Sequence, residues 1–504
     1  ILVYQGVELE TPPSGLEREF HTLFNSDALQ FLSELISTFQ AEVDKVLNFR
    51  VLRKVQLDLT RELPGFLKDT AHIRNDPSWR VSPVPDRLHC RHVDVGDLSP
   101  CDTQRLIMGL KSTAQGLQID FDDGNCPTYR NQIKGIYNVY QAVHNQFQAC
   151  VNNLGPFFYL SKVESYMEAR LWSQIFFWTE KKLGLPAGCI KATVLIECVL
   201  ASFEMEEILY ELKEHSAGLN CGIWDYSASF VNKFGHRADF LLPDRSKYVD
   251  MEKRFLHSYM DLLVQTCHRR GALATGGMAA LLLPGDKESD LYKTALRTVT
   301  RLKLLEIKAG VDGFMVYDMD LIEPMQKLFQ LHSHGQNQLL QLREDITVTP
   351  EDLLIMPAGG VTQYGLRYNI AVGVLFIEAW LSGRGNFFYL GKVEDSATAE
   401  ISRSQVWQWI RHQVRLEDDG TVVTRALVSS LVEGLMEDLK AAIHCQTSRD
   451  KQRLMTAVSM FLEIVQKNDF PEFLTTYLNL DHTFLSSQSQ HENRQTDAAP
   501  KARL

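Results

Sequence analysis

Short apolar runs alternate with stretches of helical spacing through the middle of the chain. Residues 193–196 form one such run and lead into Glu197, and residues 219–224 form another and lead into Asp225. Between them, residues 203–215 carry Glu, Leu and Met at helical spacing. The order strand, helix, strand is typical of a parallel sheet.

The same alternation recurs on both sides of this block. Further strand candidates are residues 117–123, 156–160, 271–283 and 313–317. Several strands, each trailed by a helical stretch, favour an α/β fold of the (β/α)8 TIM-barrel type over an open sheet, and we assign the barrel to residues 81–345. Residues 76–100 are rich in Pro, Arg, His and Asp, and we expect them to cross the surface of the molecule.

The segments that flank the predicted barrel read as helical. Residues 1–80 form an N-terminal helical segment, in which apolar residues recur at helical spacing over 28–46. Residues 346–485 are predicted to form an all-helical C-terminal domain, interrupted by an irregular piece at 383–396. The tail, residues 486–504, is polar and almost without apolar residues, so we expect it to be disordered.

The last three residues of this tail carry a possible address. Ala502, Arg503 and Leu504 resemble the small-basic-leucine signal for peroxisomal import. A disordered polar tail would expose these three residues to an import receptor. The sequence therefore predicts the peroxisomal import receptor as a partner, and a peroxisomal, glyoxysome-like location for the protein. A chance match is the alternative, and a cytoplasmic or mitochondrial location stays open.

Composition narrows the functional classes. The chain has 504 residues, of which 45% are hydrophobic and 23% charged, an ordinary balance for a soluble globular protein. Its net charge of −11 argues against a nucleic-acid-binding surface, and its apolar runs are too short to cross a bilayer. Nine cysteines form no Cys-x-x-Cys pair, which indicates reduced thiols instead of a disulfide framework or a zinc ribbon.

Carboxylates at the ends of apolar runs are the main candidates for chemistry. In barrels, polar residues at the C-terminal ends of the strands form the active site, so Glu197 and Asp225 could together hold a hard divalent cation such as Mg2+. The alternative for each is a solvated strand end. Asp395 stands directly before a helical stretch, where an aspartate is often only the N-cap of the helix. Three further acids, Glu204, Glu206 and Glu207, are expected on a solvated helix face.

Three long blocks of the sequence carry a family resemblance. They are QIDFDDGNCPTYRNQI at 118–133, a block running from FFYLSKVESYMEARLW at 157–172 to residue 226, and VEDSATAEISRSQVWQWIRH at 393–412. Together they resemble malate synthase, the glyoxylate-cycle enzyme, in its A-type form, and residues 262–280 support the match. The resemblance implies condensation of acetyl-CoA with glyoxylate, hydrolysis of the thioester to malate and CoA, and a Mg2+ cofactor.

The resemblance also implies roles for particular residues. Glu197 and Asp225 match the family's Mg2+ ligands, and Asp395 matches the general base that removes a proton from the acetyl methyl group. Such a base has to be a carboxylate in a site that excludes water, because the methyl group of a thioester is a weak carbon acid.

A second set of residues matches the family's substrate loop and the surroundings of its metal. The backbone N–H groups of Gly222, Ile223 and Trp224 match the loop that holds the glyoxylate carboxylate. Asp120 and Asp122 match acidic positions near the metal, although the family usually has Glu where Asp122 stands.

One segment of the family pattern is missing. The family carries Arg-Pro-Arg-Gly-Trp-His between the 118–133 block and the strand at 157, and the second arginine stabilises the enolate. Here residues 132–137 lead almost directly to 143–147, so a barrel segment is absent near 137–143 and no matching arginine can be named. Two alternatives follow: a catalytically impaired homologue that binds ligands or partners without turnover, and, more weakly, a malyl-CoA-type lyase.

Overall fold

The N-terminal segment is mostly helical, as predicted, and packs against the barrel. The structure is a computed structural model and describes residues 2–4, 7–147 and 155–480. A short antiparallel hairpin, β1 (Leu2–Tyr4) with β2 (Val7–Leu9), precedes α1 (Glu17–Leu23), α2 (Ser26–Thr60) and α3 (Ala71–Asn75). The long helix α2 reaches the barrel through arginines: Arg50 pairs with Glu168, and Arg53 pairs with Glu204 at 2.7 Å.

The central element is a sheet of seven parallel strands, which confirms the predicted barrel fold. In chain order the strands are β3 (Val93–Leu98), β4 (Gly116–Ile119), β5 (Phe157–Leu160), β6 (Lys191–Ile196), β7 (Ser216–Cys221), β8 (Ala274–Ala279) and β9 (Gly313–Val316). The helices over the same part of the chain are α4 (Thr103–Leu110), α5 (Tyr129–Val143), α6 (Tyr166–Leu183), α7 (Val199–Ser202), α8 (Met205–Glu211), α9 (Ile223–Phe234), α10 (Arg245–Tyr248), α11 (Arg254–Arg269), α12 (Asp290–Ala309) and α13 (Ile322–His332). The spatial order is β4-β3-β9-β8-β7-β6-β5. The first strand, β3, pairs with the last, β9, and consecutive strands are neighbours everywhere except between β4 and β5, so the sheet forms a nearly closed ring.

The ring has a seam between β4 and β5. Among the described residues these two strands are the edges of the sheet, and the connection between them contains α5. The predicted missing segment near 137–143 falls in this connection, as do residues 148–154, which lie outside the described ranges. A cavity of about 780 Å³ runs along the seam, between residues 115–119 and 157–159. The described residues therefore leave the barrel interior incompletely filled on this side.

The first barrel strand corrects one expectation. Residues 76–100 were expected to cross the surface, yet they contain β3, whose Val93, Val95 and Leu98 are fully buried. The strand pairs in parallel with both β4 and β9. Its sequence, VDVGDL, hides this because Asp94 and Asp97 point into the barrel, where carboxylates dilute the apolar pattern that usually marks a buried strand.

The acids of α8 correct another expectation. Glu204, Glu206 and Glu207 are buried and paired instead of lying on a solvated face. Their partners are Arg53 for Glu204, Arg270 for Glu206, and Thr70 with Arg74 for Glu207. Helical spacing alone could not show this, because the arginines come from segments distant in sequence.

Arg270 offers a test of these buried pairs. Its side chain is 1% exposed, it donates to Glu206 at 2.7 Å, and it stacks on Trp79 at 4.0 Å. We expect Arg270→Ala to lower the free energy of unfolding by about 3–5 kcal/mol, because Glu206 would keep a buried charge without this partner. Urea titration gives the value. The control Arg269→Ala, in a side chain 50% exposed and 3.7 Å from the same glutamate, should change it by about 1 kcal/mol or less.

The C-terminal domain is helical except for one hairpin. Its elements are α14 (Pro350–Leu354), α15 (Gln363–Leu381), β10 (Phe387–Tyr389), β11 (Lys392–Glu394), α16 (Ser396–Arg411), α17 (Arg425–Ala442), α18 (Ser448–Gln466) and α19 (Leu474–Leu480). The apolar faces of α15 and the helices after it form a core of their own around α15, which is buried along nearly its whole length. Helix α14 instead packs on the barrel, where its Leu353 is part of the barrel core. None of the helices in the described residues has the length and apolar character that crossing a bilayer requires. The predicted tail signal at 502–504 lies outside the described residues.

The hairpin and α16 fasten this domain to the mouth of the barrel. The N–H of Val393 donates to the carbonyl of Ala280, just after β8, and the N–H of Leu282 donates to the carbonyl of Gly391. Further along, the indole N–H of Trp409 donates to the carbonyl of Leu242 at 2.8 Å. The hairpin bonds hold the beginning of α16 over the C-terminal ends of the strands, and the bond of Trp409 fixes the last turns of the helix.

Candidate active site

The predicted site residues come together at the C-terminal mouth of the barrel. A cavity of about 130 Å³ lies between the strand ends and the first turn of α16. The predicted site residues that line it are Asp120, Glu197, Gly222, Ile223, Trp224, Asp225 and Asp395. Asp122 does not line this cavity, but it pairs with Lys162, which also contacts Glu197 and Asp225. The residues from the barrel meet here because parallel strands end at the same edge, and the hairpin before α16 adds Asp395, 275 positions after Asp120.

Lys162 lies at the centre of the carboxylates. Its ammonium nitrogen is 3.0 Å from Asp225, 3.1 Å from Asp123, 3.3 Å from Asp122 and 3.6 Å from Glu197. In the described part of the chain, no three acidic, His or Cys side chains converge in the geometry of a formed metal site. The position between Glu197 and Asp225 is taken instead by the cationic end of Lys162.

The charge balance nevertheless fits a hard divalent cation. Burial, reinforced by repulsion from Asp225, raises the pKa of Glu197 to about 8 even though Lys162 opposes the shift. Burial and the charge of Asp122 raise the pKa of Asp120 to about 6. One lysine therefore does not neutralise the cluster, and the oxygen donors are those that Mg2+ prefers. Glu197 directly follows β6, and Asp225 lies in the first turn of α9, just after the neighbouring strand β7. These two residues could hold the ion.

Asp395 is both a helix cap and a group that could accept a proton. Its Oδ1 accepts hydrogen bonds from the N–H groups of Ala397 and Thr398, at 2.9 and 3.2 Å, which caps α16. Its Oδ2 accepts no hydrogen bond from the described residues. Burial, together with the charge of Asp225, raises the pKa of Asp395 to about 7. The two roles considered from the sequence are thus compatible, because each can use a different oxygen.

The N-terminus of α9 presents backbone donors to the cavity. The N–H of Gly222 is already engaged, since it donates to the hydroxyl of Tyr259 at 2.9 Å. The N–H groups of Ile223, Trp224 and Asp225 belong to the first turn of the helix and have no acceptor among the described residues. A small carboxylate could be held there, since helix N-termini favour anions.

The structure adds three residues that sequence reasoning did not assign to the site. Asp97, at the end of β3, lines the cavity, and burial together with the charge of Asp395 raises its pKa well above the ordinary range. Asp123 binds Lys162 and accepts a hydrogen bond from the hydroxyl of Ser396, which ties the first turn of α16 to the barrel. The signal for Asp97 and Lys162 was available, since each ends or follows a short strand, as Glu197 does.

Positive charge is scarce in this cavity. The residues that line it, all within the described ranges, include neither arginine nor lysine. Lys162 approaches from the side, where it lines a smaller adjoining space with Glu197 and Asp225. The geometry thus brings together carboxylates that could hold a cation, a partly buried carboxylate that could accept a proton, and a helix end whose N–H groups could hold an anion.

The sequence matches known proteins over most of its length. Two family descriptions match: "Malate synthase, TIM barrel domain" over residues 120–356 and "Malate synthase, C-terminal" over residues 360–481. The malate synthase of Dictyostelium discoideum is 35% identical over 535 aligned residues, which cover 94% of this chain and 96% of that protein. The glyoxysomal malate synthase of Candida tropicalis is 33% identical over 544 aligned residues, covering 95% and 96%.

Solved structures resemble the chain more distantly. Haloferax volcanii malate synthase in a ternary complex with pyruvate and acetyl-CoA is 12% identical, with a TM-score of 0.39, and the match covers 75% of this chain and 95% of that one. The magnesium and glyoxylate complex of the same protein has 12% identity and a TM-score of 0.35, with coverages of 70% and 82%. At these TM-scores the likeness carries no inference about the site.

Proposed function

Because the chain belongs to the malate synthase family, we propose that it catalyses the Mg2+-dependent condensation of acetyl-CoA with glyoxylate and the hydrolysis of the product to malate and CoA. The observation that supports this most directly is the position of Asp395. A partly buried carboxylate, one oxygen of which accepts no hydrogen bond from the described residues, lines the same small cavity as Glu197 and Asp225. A carbon–carbon bond-forming enzyme of this kind needs a base and an electrophile on facing sides of one space.

Each half of the proposed reaction uses groups of this chain. Oδ2 of Asp395 would take a proton from the methyl group of acetyl-CoA, while the N–H groups of Ile223, Trp224 and Asp225 hold the carboxylate of glyoxylate. Glu197 and Asp225 would hold the cation, which when bound polarises the aldehyde of glyoxylate. The hydrogen bonds of the hairpin β10–β11 to residues 280–282 keep Asp395 over the strand ends.

The direct test is turnover by the purified chain. Acetyl-CoA, glyoxylate and Mg2+ are mixed with the protein, and free thiol is followed together with malate. We expect thiol release that requires all three components. No thiol release from protein with a cooperative thermal transition would contradict the proposal.

One observation favours a second candidate, an impaired homologue that binds its ligands without turnover. No arginine of the described residues lines the cavity, and the sequence has no match to the family's enolate-stabilising arginine. Loss of one such donor typically lowers kcat on the order of 10²–10³-fold. Binding of Mg2+ and acetyl-CoA in calorimetry, without product over hours, would favour this candidate. Thiol release from malyl-CoA alone would favour the lyase alternative.

The rate of turnover should depend on pH through Asp395. The base works only when ionised, and its pKa is raised to about 7 by burial and by the charge of Asp225. We therefore expect kcat/KM for acetyl-CoA to fall as the pH drops below about 7, and a bound divalent cation should move the midpoint downward. Thiol release between pH 5.5 and 9 measures this, with thermal melts as a control for folding. A rate that stays flat to pH 5.5 would argue against Asp395 as the base.

The location in the cell stays a prediction from residues 502–504. The relative from Candida tropicalis is named glyoxysomal, which is consistent with a peroxisomal address. Removing the three residues from a fluorescent fusion should disperse peroxisomal puncta. Unchanged puncta would refute the signal.

A further inference from the structure

Lys162 is held in place by its backbone. It follows β5 in a left-handed conformation, with φ of 57°, which a residue with a side chain seldom adopts. Its N–H donates to Oε1 of Glu197 at 2.6 Å, and its carbonyl accepts from the guanidinium of Arg50 at 2.7 Å. A conformation that is unfavourable in isolation persists where the surroundings fix it. The backbone therefore points this side chain into the carboxylates.

The ammonium group of Lys162 lies where the proposed function would place the metal ion. It lies within 3.6 Å of four carboxylates, and two of them, Glu197 and Asp225, are the residues proposed to bind Mg2+. Without it, these acids would repel one another in a space largely shielded from water. An ammonium and a divalent cation cannot both approach Glu197 and Asp225 this closely.

We propose that Lys162 is the resident cation of the metal-free site, and that a divalent cation displaces its ammonium group from Glu197 and Asp225 when it binds. This inference rests on the proposed function, because it takes those two residues as the metal ligands. It assigns Lys162 a positioning role: the side chain keeps the carboxylates gathered while the metal is absent, and competes with the metal for them.

The surroundings allow this exchange without a change of fold. The side chain of Lys162 is 23% exposed, and its four-carbon stem can rotate while the backbone stays fixed. Asp122 and Asp123 lie on the loop after β4, so they can keep the ammonium group after it leaves Glu197 and Asp225. Asp122 is half exposed, which gives the displaced charge a route toward solvent.

The test is the affinity for Mn2+, titrated alone by calorimetry and by electron paramagnetic resonance. Lys162→Met removes the competing charge, so we expect Mn2+ to bind at least tenfold more tightly than to the unaltered protein. Lys162→Arg keeps the positive charge, and a guanidinium group can form two hydrogen bonds to one carboxylate, so Mn2+ should bind more weakly. The control Lys191→Met removes another buried lysine at the start of β6, roughly 20 Å from Glu197, and should leave the affinity unchanged.

The outcomes separate this inference from the proposed function. Equal or weaker Mn2+ binding by Lys162→Met, with binding still strongly weakened by Glu197→Gln, overturns the role of Lys162 and leaves the metal site standing. Absence of any Mn2+ binding that depends on Glu197 contradicts the proposed function itself. If Lys162→Met does not fold without metal, Lys162→Arg decides: binding tighter than in the unaltered protein overturns the inference, and weaker binding supports it.

Discussion

Replacing Asp395 with asparagine is expected to lower the rate of CoA thiol release about 10²–10⁴-fold, the usual contribution of a general base. Asparagine has nearly the same shape, and its carbonyl oxygen can accept the two hydrogen bonds from Ala397 and Thr398 that cap α16. It cannot take a proton from the methyl group of acetyl-CoA. Aspartate at position 395 would serve both as the cap of α16 and as the base. The substitution keeps the first role and removes the second.

A matched cap elsewhere controls for the substitution. Asp102 caps α4 by accepting a hydrogen bond from the N–H of Arg105 at 3.1 Å, and it does not line the cavity. We expect Asp102→Asn to leave the rate unchanged, and both variants to keep the melting temperature of the unaltered protein within a few degrees. Asp395→Asn protein that retains more than a tenth of the rate would show that the base is another group. A large fall in its melting temperature would show that the cap dominates.

The shared position of the two proposed metal ligands could be predicted from the sequence because its signal is local. Glu197 and Asp225 follow apolar runs, and parallel pairing of β6 with β7 places Ile196 opposite Cys221, so the two acids emerge at one edge. The barrel itself is predictable for the same reason, as a repeated local pattern. Where the pattern was diluted by buried acids, as in β3, the strand was missed.

The rest of the site depends on contacts that no local pattern reveals. Asp395 reaches the cavity through the hairpin bonds of Val393 and Gly391 to residues 280–282. Here the family resemblance supplied what spacing could not. The place of Lys162 directly after β5 is a local signal, but it does not tell which way the side chain points. The left-handed turn at Lys162 and the bond from its N–H to Glu197 send the side chain inward. Buried pairs such as Arg270 with Glu206 escaped notice likewise, since their partners are distant in sequence.

Removing the charge of either proposed metal ligand should have an effect of similar size. We expect Glu197→Gln and Asp225→Asn each to weaken Mn2+ binding on the order of 100-fold, because a neutral amide replaces a carboxylate that would contact the ion. Thiol release at a fixed Mg2+ concentration should fall accordingly. The control is Glu306→Gln, a buried carboxylate paired with Lys303 at 3.0 Å and absent from the cavity lining, which should leave Mn2+ affinity unchanged.

The melting temperature of the metal-free Glu197 variant tests the role of this residue more directly than the rate of thiol release does. The pKa of Glu197 is about 8 in the folded protein, above its unfolded value, so the folded state holds the proton more tightly. Its contribution to stability is complete below about pH 4 and is lost as the pH rises toward 8, where the ionised group is disfavoured by burial and by Asp225. Metal-free protein should therefore lose melting temperature across this window, and Glu197→Gln protein should lose less.

Mg2+ should restore the melting temperature of the unaltered protein and leave that of Glu197→Gln protein nearly unchanged. A variant that is more stable than the unaltered protein at pH 8 without metal, yet fails to bind Mn2+ and to release thiol, would identify Glu197 as a ligand kept for the ion at the expense of stability. Loss of stability together with activity would instead assign Glu197 a structural role, through its bond to the backbone of Lys162.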